Sequence, residues 1–238
     1  MVSTAVILAG GLGTRLRSIV HDVPKPMAPI HGRPFLAHQL DYWIAQGIEH
    51  FILSVGYKHD VIMDFFGQIY RGAQIDYVVE HSPMGTGGGF LLALEQIKSN
   101  APFLLLNGDT YFDVDLKRLS QFATRHSADW VFSLFYTNDP GRYMGIDVAS
   151  DGCIRSLKSE IKNESGRLAS GGVYWVNPST LPSEVLSHWK GPVSLEDDIF
   201  PALLDAGSRF FGLECSGSFI DIGLPEDYYR SASLLERI

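Results

Sequence analysis

Two cysteines in 238 residues, Cys153 and Cys215, without a CxxC spacing, leave no material for a disulfide framework or a zinc ribbon. Both are expected to be buried and reduced. No apolar run approaches membrane-spanning length. The first run, Thr4 to Ala9, is short, has no basic region before it and breaks into glycine, so it reads as a core strand rather than a signal peptide. A cytoplasmic location is expected on that ground, with no glycan on Asn163 of the NES sequon. Positive charge is in deficit: 19 Lys and Arg against 27 Asp and Glu give a net charge of −8, which argues against nucleic acid or a membrane surface as partner. The eight histidines form no HExxH, no serine sits in GxSxG, and no Cys/His ligand set occurs, so zinc hydrolysis and triad chemistry have no support. Repeats, low-complexity stretches and linkers are also missing, and a composition of 45% hydrophobic and 19% charged residues fits one compact domain spanning 1–238.

Local positive charge, in contrast, gathers near the start, beside a cluster of glycines. The run Thr4 to Ala9 feeds GGLGTRL (Gly10 to Leu16), and PKP (Pro24 to Pro26) follows. Glycines after a strand leave bare backbone N–H groups facing outward, and a helix opening beyond them would favour an anion at its N-terminus. Arg15 and Lys25 add full positive charges to this phosphate cradle. Residues 1–35 carry Arg15, Arg17, Lys25 and Arg33 against Asp22 alone, a reversal of the chain's overall sign suited to a small anionic ligand. Of two better-known glycine motifs, the dinucleotide fingerprint fits only in part and the P-loop fails. Counting GxGxxG from Gly11 puts Leu16 where the third glycine belongs, and no lysine followed by Ser or Thr closes a P-loop.

Pattern and punctuation divide the rest into alternating elements. Pro34 to Gln46 has Leu36, Leu40, Trp43 and Ile44 at helical spacing with Gly47 as a stop; Glu49 to Val55 is a strand, Val61 to Phe66 a helix, and Gln74 to Val79 a strand. GTGGGF (Gly85 to Phe90) opens a helix through Leu91, Leu92 and Leu94, and Phe103 to Leu106 is a central strand leading to Asn107, Gly108 and Asp109. Beyond lie strands at Trp130 to Tyr136, Gly145 to Val148 and Leu168 to Val176, a hairpin turn at Asp151-Gly152, a helix near Glu196 to Leu204, a strand at Phe210 to Leu213, and a last helix from Pro225. The expected fold is α/β and Rossmann-like: a mixed, mostly parallel sheet with helices on both faces, more antiparallel in its second half. Its ligand belongs at the carboxyl ends of the strands. The aromatics Phe65, Phe66, Trp130, Trp175, Tyr228 and Tyr229 are assigned to the core.

GGLGTRL followed by KP resembles the signature of the sugar-1-phosphate nucleotidyltransferases, and the likeness continues through LLLNGDTYFDVDL (Leu104 to Leu116) to FIDIGLPEDY (Phe219 to Tyr228), almost the whole chain. The resemblance implies a nucleotide-binding half over about 1–115 and a sugar-binding half over about 116–238. It implies catalytic roles for Arg15 on the triphosphate and Lys25 on the α-phosphate. Leu8, Ala9, Gly10, Gly11, Gly13 and Thr14 would wrap the nucleotide, with Glu80, Gly85 and Thr86 at the base. Asp109 and Asp221 would hold Mg²⁺, which takes one or two carboxylates and completes its shell with phosphate oxygens and water. Gly145, Ser170, Gly171 and Gly172 are candidates for close approach to sugar hydroxyls.

The expected partners are a nucleoside triphosphate and a sugar 1-phosphate, in a monomer or homodimer. A carboxylate accepts hydrogen bonds only, so Glu80 favours guanine, whose N1–H and N2 amino group are adjacent donors, and GTP is the expected triphosphate. With SLEDDIFPALL (Ser194 to Leu204) included, the motifs most resemble the D-glycero-α-D-manno-heptose 1-phosphate guanylyltransferases of bacterial surface-polysaccharide synthesis. The TGGG helix start is also similar to the N-acetylmuramate 1-phosphate uridylyltransferases, and a hexose 1-phosphate uridylyltransferase belongs with that alternative. A non-catalytic nucleotide-sugar-binding subunit is the alternative of another class. Where many relatives carry EKP after the middle hairpin, this chain reads LKSEIKNESGRL (Leu157 to Leu168), and Lys158 and Lys162 are equal candidates for the missing lysine.

Overall fold

The computed structural model of the chain describes residues 1–16, 19–139, 142–158, 160 and 166–236. Apolar runs bounded by glycine, proline and short polar segments set the order of elements. Strand β1 (Thr4–Ala9) is followed by two two-residue strands, β2 (Pro29–Ile30) and β3 (Arg33–Pro34), then helix α1 (Phe35–Ala45), β4 (His50–Val55) and α2 (His59–Phe66). Next come β5 (Ile69–Tyr70), β6 (Ala73–Val79), α3 (Gly85–Leu94), β7 (Phe103–Asn107), β8 (Thr110–Phe112) and α4 (Leu116–His126). The remainder holds β9 (Trp130–Thr137), β10 (Ile146–Val148), β11 (Ile154–Leu157), β12 (Arg167–Val176), α5 (Ser183–Leu186), α6 (Phe200–Asp205), β13 (Phe210–Glu214), β14 (Phe219–Asp221) and α7 (Pro225–Leu235).

Eight strands form one sheet in the order β13-β9-β12-β7-β1-β4-β6-β5. The block β7-β1-β4-β6 is parallel throughout, β12 runs antiparallel between β7 and β9, and β13 is parallel to β9. This is the mixed, mostly parallel sheet that the alternating pattern predicts. Alternation along each strand sends residues to two cores. On one face Ile7, Phe51 and Leu53 meet Leu36, Leu40 and Trp43 of α1, Ile62 of α2 and Leu119 of α4. On the other, Val6, Ile52 and Leu105 meet Phe90 of α3 and Phe200 and Leu203 of α6. Both faces of the central strands are therefore dry, which explains why those strands read as continuous apolar runs.

Trp130 shows how tightly the second face is packed. It is fully buried, with Phe90, Phe200 and Phe210 around it at ring-centroid distances of 5.7, 5.4 and 5.8 Å. Trp130→Ala is expected to cost about 3–5 kcal/mol of stability. Urea denaturation checks this, and a loss well under 1 kcal/mol would contradict the packing.

Two expectations are corrected here. Phe65 and Tyr229 are exposed, because each lies on the outer side of its helix, while Phe66 is buried. Cys153 and Cys215 are free but only half-buried. The helix expected to open after the glycine loop falls partly on residues 17 and 18, outside the described residues; around them Leu16 N–H donates to Gly13 C=O at 3.1 Å, Leu16 C=O accepts from Ile19 and Val20 N–H at 3.0 Å, and a 3-10 turn follows at Lys25–Met27.

Because β7, β1, β4 and β6 are adjacent and parallel, their carboxyl ends lie along one edge. There β1 leads into Gly10, β6 into Glu80, and β7 into Asp109. Short β14 then pairs antiparallel with β8, with Asp221 opposite Thr110, and Ile222 N–H donates to Asp109 C=O at 3.0 Å. That ladder brings two aspartates 112 positions apart in sequence to the same place.

Candidate active site

A cavity of about 490 Å³ opens at this edge. Leu8, Ala9, Gly10, Gly11, Gly13, Thr14, Arg15, Lys25, Glu80, Gly85, Thr86 and Asp109 all line it, together with Pro83, Asn107 and Gly223. The turn is shaped by steric necessity at Gly13, where φ is +58° and an added Cβ would stand 2.8 Å from the Lys25 Cβ. Only glycine lets the loop lie on the lysine stem. Lys25 is held by the 3-10 turn between Pro24 and Met27, and its side chain is 9% exposed.

The Lys25 ammonium donates to Asp109 Oδ2 at 2.6 Å and lies 3.5 Å from Asp221 Oδ1. Gly223 N–H donates to the same Asp221 oxygen at 2.6 Å. Two carboxylates thus converge on one cation, although Asp221 itself does not line the cavity. No group of three or more His, Cys, Asp or Glu side chains arranged for a metal occurs among the described residues. A magnesium site does not require one, since one or two carboxylates suffice beside phosphate oxygens. The all-oxygen pair already gathered around an ammonium fits a divalent cation of that kind.

Glu80 lies elsewhere on the cavity wall. Its Oε1 accepts from the Ser54 hydroxyl at 3.0 Å and its Oε2 from Met84 N–H at 3.2 Å. Burial pushes its pKa above the ordinary glutamate value, against the pull of those two hydrogen bonds. Glycines make the room: a Cβ on Gly10 would collide with this carboxylate, and one on Gly89 would stand 2.9 Å from it.

The start of α3 is covered from the other half of the chain. Val193 C=O accepts from Gly87 and Gly88 N–H, at 2.9 and 3.3 Å. The Thr86 hydroxyl accepts from Leu195 N–H and donates to Glu196 Oε2, both at 2.8 Å. Leu195–Ile199 forms a π-helical turn, so SLEDDIF serves to dock this segment on the glycine cluster.

The four sugar candidates do not line the cavity. Gly145 bridges to Ala169, and the Ser170 hydroxyl donates to Tyr174 at 3.0 Å. Gly171 is pressed against the Phe112 ring, and Gly172, at φ +71°, leaves no room for a Cβ beside Asn107 and Thr110. Ser170, Gly171 and Gly172 therefore form an irregular stretch of β12, where its pairing with β9 shifts register, against the Asn107–Thr110 turn. Lys158 pairs with exposed Asp197 at 2.7 Å and is away from the cavity lining. Lys162, Asn163 and Arg17 lie outside the described residues. Arg33 is also outside the cradle, paired with Asp41 and hydrogen-bonded to Tyr70.

Arg142 is a participant that sequence reading missed. It donates to the Asp221 carbonyl at 3.0 Å, lies 3.2 Å from Asp221 Oδ2, and pairs with Asp227 of α7. Both acids lie about eighty positions downstream, so no local period marks this arginine.

Residues 4–237 match the nucleotidyl transferase family. The chain is 37% identical over 232 residues to D-glycero-alpha-D-manno-heptose 1-phosphate guanylyltransferase of Aneurinibacillus thermoaerophilus, covering 98% of each chain. It is 36% identical to the enzyme of that name from Campylobacter jejuni, covering 95% of this chain and 97% of the relative. HddC from Yersinia pseudotuberculosis, solved in complex with GMP-PN, superposes with a TM-score of 0.80 at 33% identity, covering 98% and 99% of the two chains. Members of the family act on nucleotides and sugar phosphates and generally use a divalent metal. The cavity, the fold and these likenesses agree, and the chain belongs to the nucleotidyl transferase family of enzymes.

Proposed function

We propose that the chain transfers the guanylyl group of GTP to D-glycero-α-D-manno-heptose 1-phosphate, releasing pyrophosphate and forming a GDP-heptose for bacterial surface polysaccharide. The observation that carries the reading is the Lys25 ammonium between Asp109 and Asp221 in a glycine-walled cavity that also presents an acceptor-only carboxylate, Glu80. Support for the sugar and base comes from the two relatives named for this activity and from the similar structure solved with GMP-PN.

The chemistry asks for positioning and charge more than for proton transfer. A sugar phosphate is an anion at neutral pH, so its oxygen attacks the α-phosphorus with no proton to remove. A new P–O bond forms there, the α–β bridging P–O bond breaks, and the electron pair leaves with pyrophosphate. Arg15 and the amides of Gly10 to Thr14 hold the triphosphate, and Lys25 neutralises charge on the reacting phosphoryl oxygens. Asp109 and Asp221 are the residues that would hold Mg²⁺, which supplies further charge neutralisation on phosphate oxygens when bound. Residues 1–115 would thus serve the nucleotide and 116–238 the sugar. Gly145, Ser170, Gly171 and Gly172 would approach the sugar hydroxyls, and Lys158 or Lys162 would meet the sugar phosphate. A step fed by GTP belongs in the cytoplasm.

The test is a matrix of four nucleoside triphosphates against hexose and heptose 1-phosphates, read as pyrophosphate release. GTP with the heptose phosphate should be the best pair. Faster turnover of UTP with N-acetylmuramate 1-phosphate would transfer the chain to the uridylyl alternative, and binding without pyrophosphate release from any pair would make it a nucleotide-sugar-binding subunit.

A further inference from the structure

Gln39 stands out on α1 because it is the one polar residue on the buried face of that helix, beside Phe35, Leu36, Ala37, Leu40 and Trp43, and it is 2% exposed. A buried amide among apolar neighbours is costly unless it is hydrogen-bonded. Its Nε2 donates to two main-chain carbonyls, Asn107 C=O and Thr110 C=O, both at 2.9 Å. The orientation follows from chemistry: turning the amide over would set its oxygen against two carbonyl oxygens. Gln39 Oε1 has no partner, so the side chain is present for its two donors.

Those two carbonyls bracket Gly108 and Asp109. The same turn is tied from the sheet by Gly108 N–H to Leu8 C=O at 2.9 Å and from β14 by Ile222 N–H to Asp109 C=O at 3.0 Å. Gly108 is pressed so close to β1 that an added Cβ would stand 2.6 Å from Leu8 C=O. Gln39 supplies the third side of the clamp, from beneath. With the backbone held on three sides, the Asp109 carboxylate is directed to the Lys25 ammonium in the cavity.

We propose that Gln39 is a positioning residue that fixes Asp109 for divalent-cation binding and so tunes metal affinity without touching metal or substrate. The proposal rests on the reading of Asp109 as a metal-holding residue. Partners one shell away from a metal typically change its affinity 10- to 100-fold when removed, and a hydrogen bond to the backbone on either side of the ligand acts by the same logic. Gln39→Met keeps the length and apolar packing of the side chain and deletes both donors.

Mn²⁺ is the probe, its binding followed by the EPR signal of the free ion, in wild type, Gln39→Met and Asp109→Asn. The expected result is an Mn²⁺ dissociation constant raised about tenfold in Gln39→Met. In the assay the concentration of metal needed for half-maximal rate should rise with it, while KM for GTP at saturating metal stays at the wild-type value. Wild-type Mn²⁺ affinity in Gln39→Met beside weakened binding in Asp109→Asn overturns the proposal and leaves the metal reading standing. Unchanged binding in Asp109→Asn overturns both. Should Gln39→Met fail to fold, the wild-type protein still decides: the Gln39 side-chain NH₂ resonances should exchange slowly and shift on addition of Mg²⁺, and fast exchange without a shift would overturn the proposal.

Discussion

Replacing Lys25 by alanine lowers turnover by at least about 100-fold and leaves the fold standing. The size follows from what the ammonium does. Two polyanions must come together in line, and a fixed positive charge in a site that excludes water opposes their repulsion far more effectively than one in bulk solvent. The fold survives because neither aspartate is left as an isolated buried charge. Asp109 is 41% exposed and remains hydrated, while Asp221 keeps the Gly223 N–H and the Arg142 guanidinium. Arg15→Ala should cost a similar factor, since arginine contacts to transferring phosphoryl groups are worth about 10³-fold or more. Arg15 is exposed at the cavity, so its truncation carries little packing cost. Steady-state kcat together with a circular-dichroism melt separates the two effects. Near-normal turnover in both variants, with both folded, would remove the site from the reaction.

The elements with strong local signals were legible. Central strands such as Phe103–Asn107 announce themselves because both faces are buried, and α2 because its apolar stripe ends at Gly67, where φ is +59°. Helix α4 lies outside the elements expected from pattern although it carries signals of its own: Asp115 accepts from Arg118 N–H as an N-cap, and Leu116, Leu119 and Ala123 share one face. Other features have no local signature at all. Strand β14 is three residues long, too short for a period, and its value lies in pairing with β8 so that Asp221 meets Asp109. The family likeness brought Asp221 to notice; only the ladder explains its location. The same holds for Gln39 and Arg142, whose partners lie about seventy and eighty positions away. Sequence pattern reports what a residue does to its own element, and these residues act on other elements.

Glu80 provides the sharpest test of base choice. Each oxygen of its carboxylate already accepts one hydrogen bond from the protein, Oε1 from Ser54 and Oε2 from Met84 N–H, and a carboxylate has about four acceptor sites in all, so one more bond to each oxygen can be made. Guanine offers N1–H and N2–H side by side. Glu80→Gln exchanges one acceptor for a donor, which keeps one bond and sets a donor against a donor at the other. Hydrogen bonds to a charged group are worth about 1.5–3 kcal/mol each, so kcat/KM for GTP should fall about 10- to 100-fold or more. ITP, which lacks the N2 amino group, isolates that second bond: wild type should prefer GTP over ITP by about the same factor, and Glu80→Gln should scarcely distinguish them. The pH profile carries an independent sign. Burial raises the Glu80 pKa, so in the free enzyme the carboxylate protonates at a higher pH than an ordinary glutamate, which titrates near about 4.3. The protonated form has one oxygen turned donor and no longer matches guanine, so kcat/KM for GTP should decline as pH falls towards that raised pKa, and Glu80→Gln should lose this limb of the profile. For the fold the sign is opposite: the raised pKa means that the neutral form suits the buried position, and stability from this group is lost as pH rises through that value. A GTP-to-ITP ratio unchanged by Glu80→Gln, with the acid limb retained, would place base recognition on another residue.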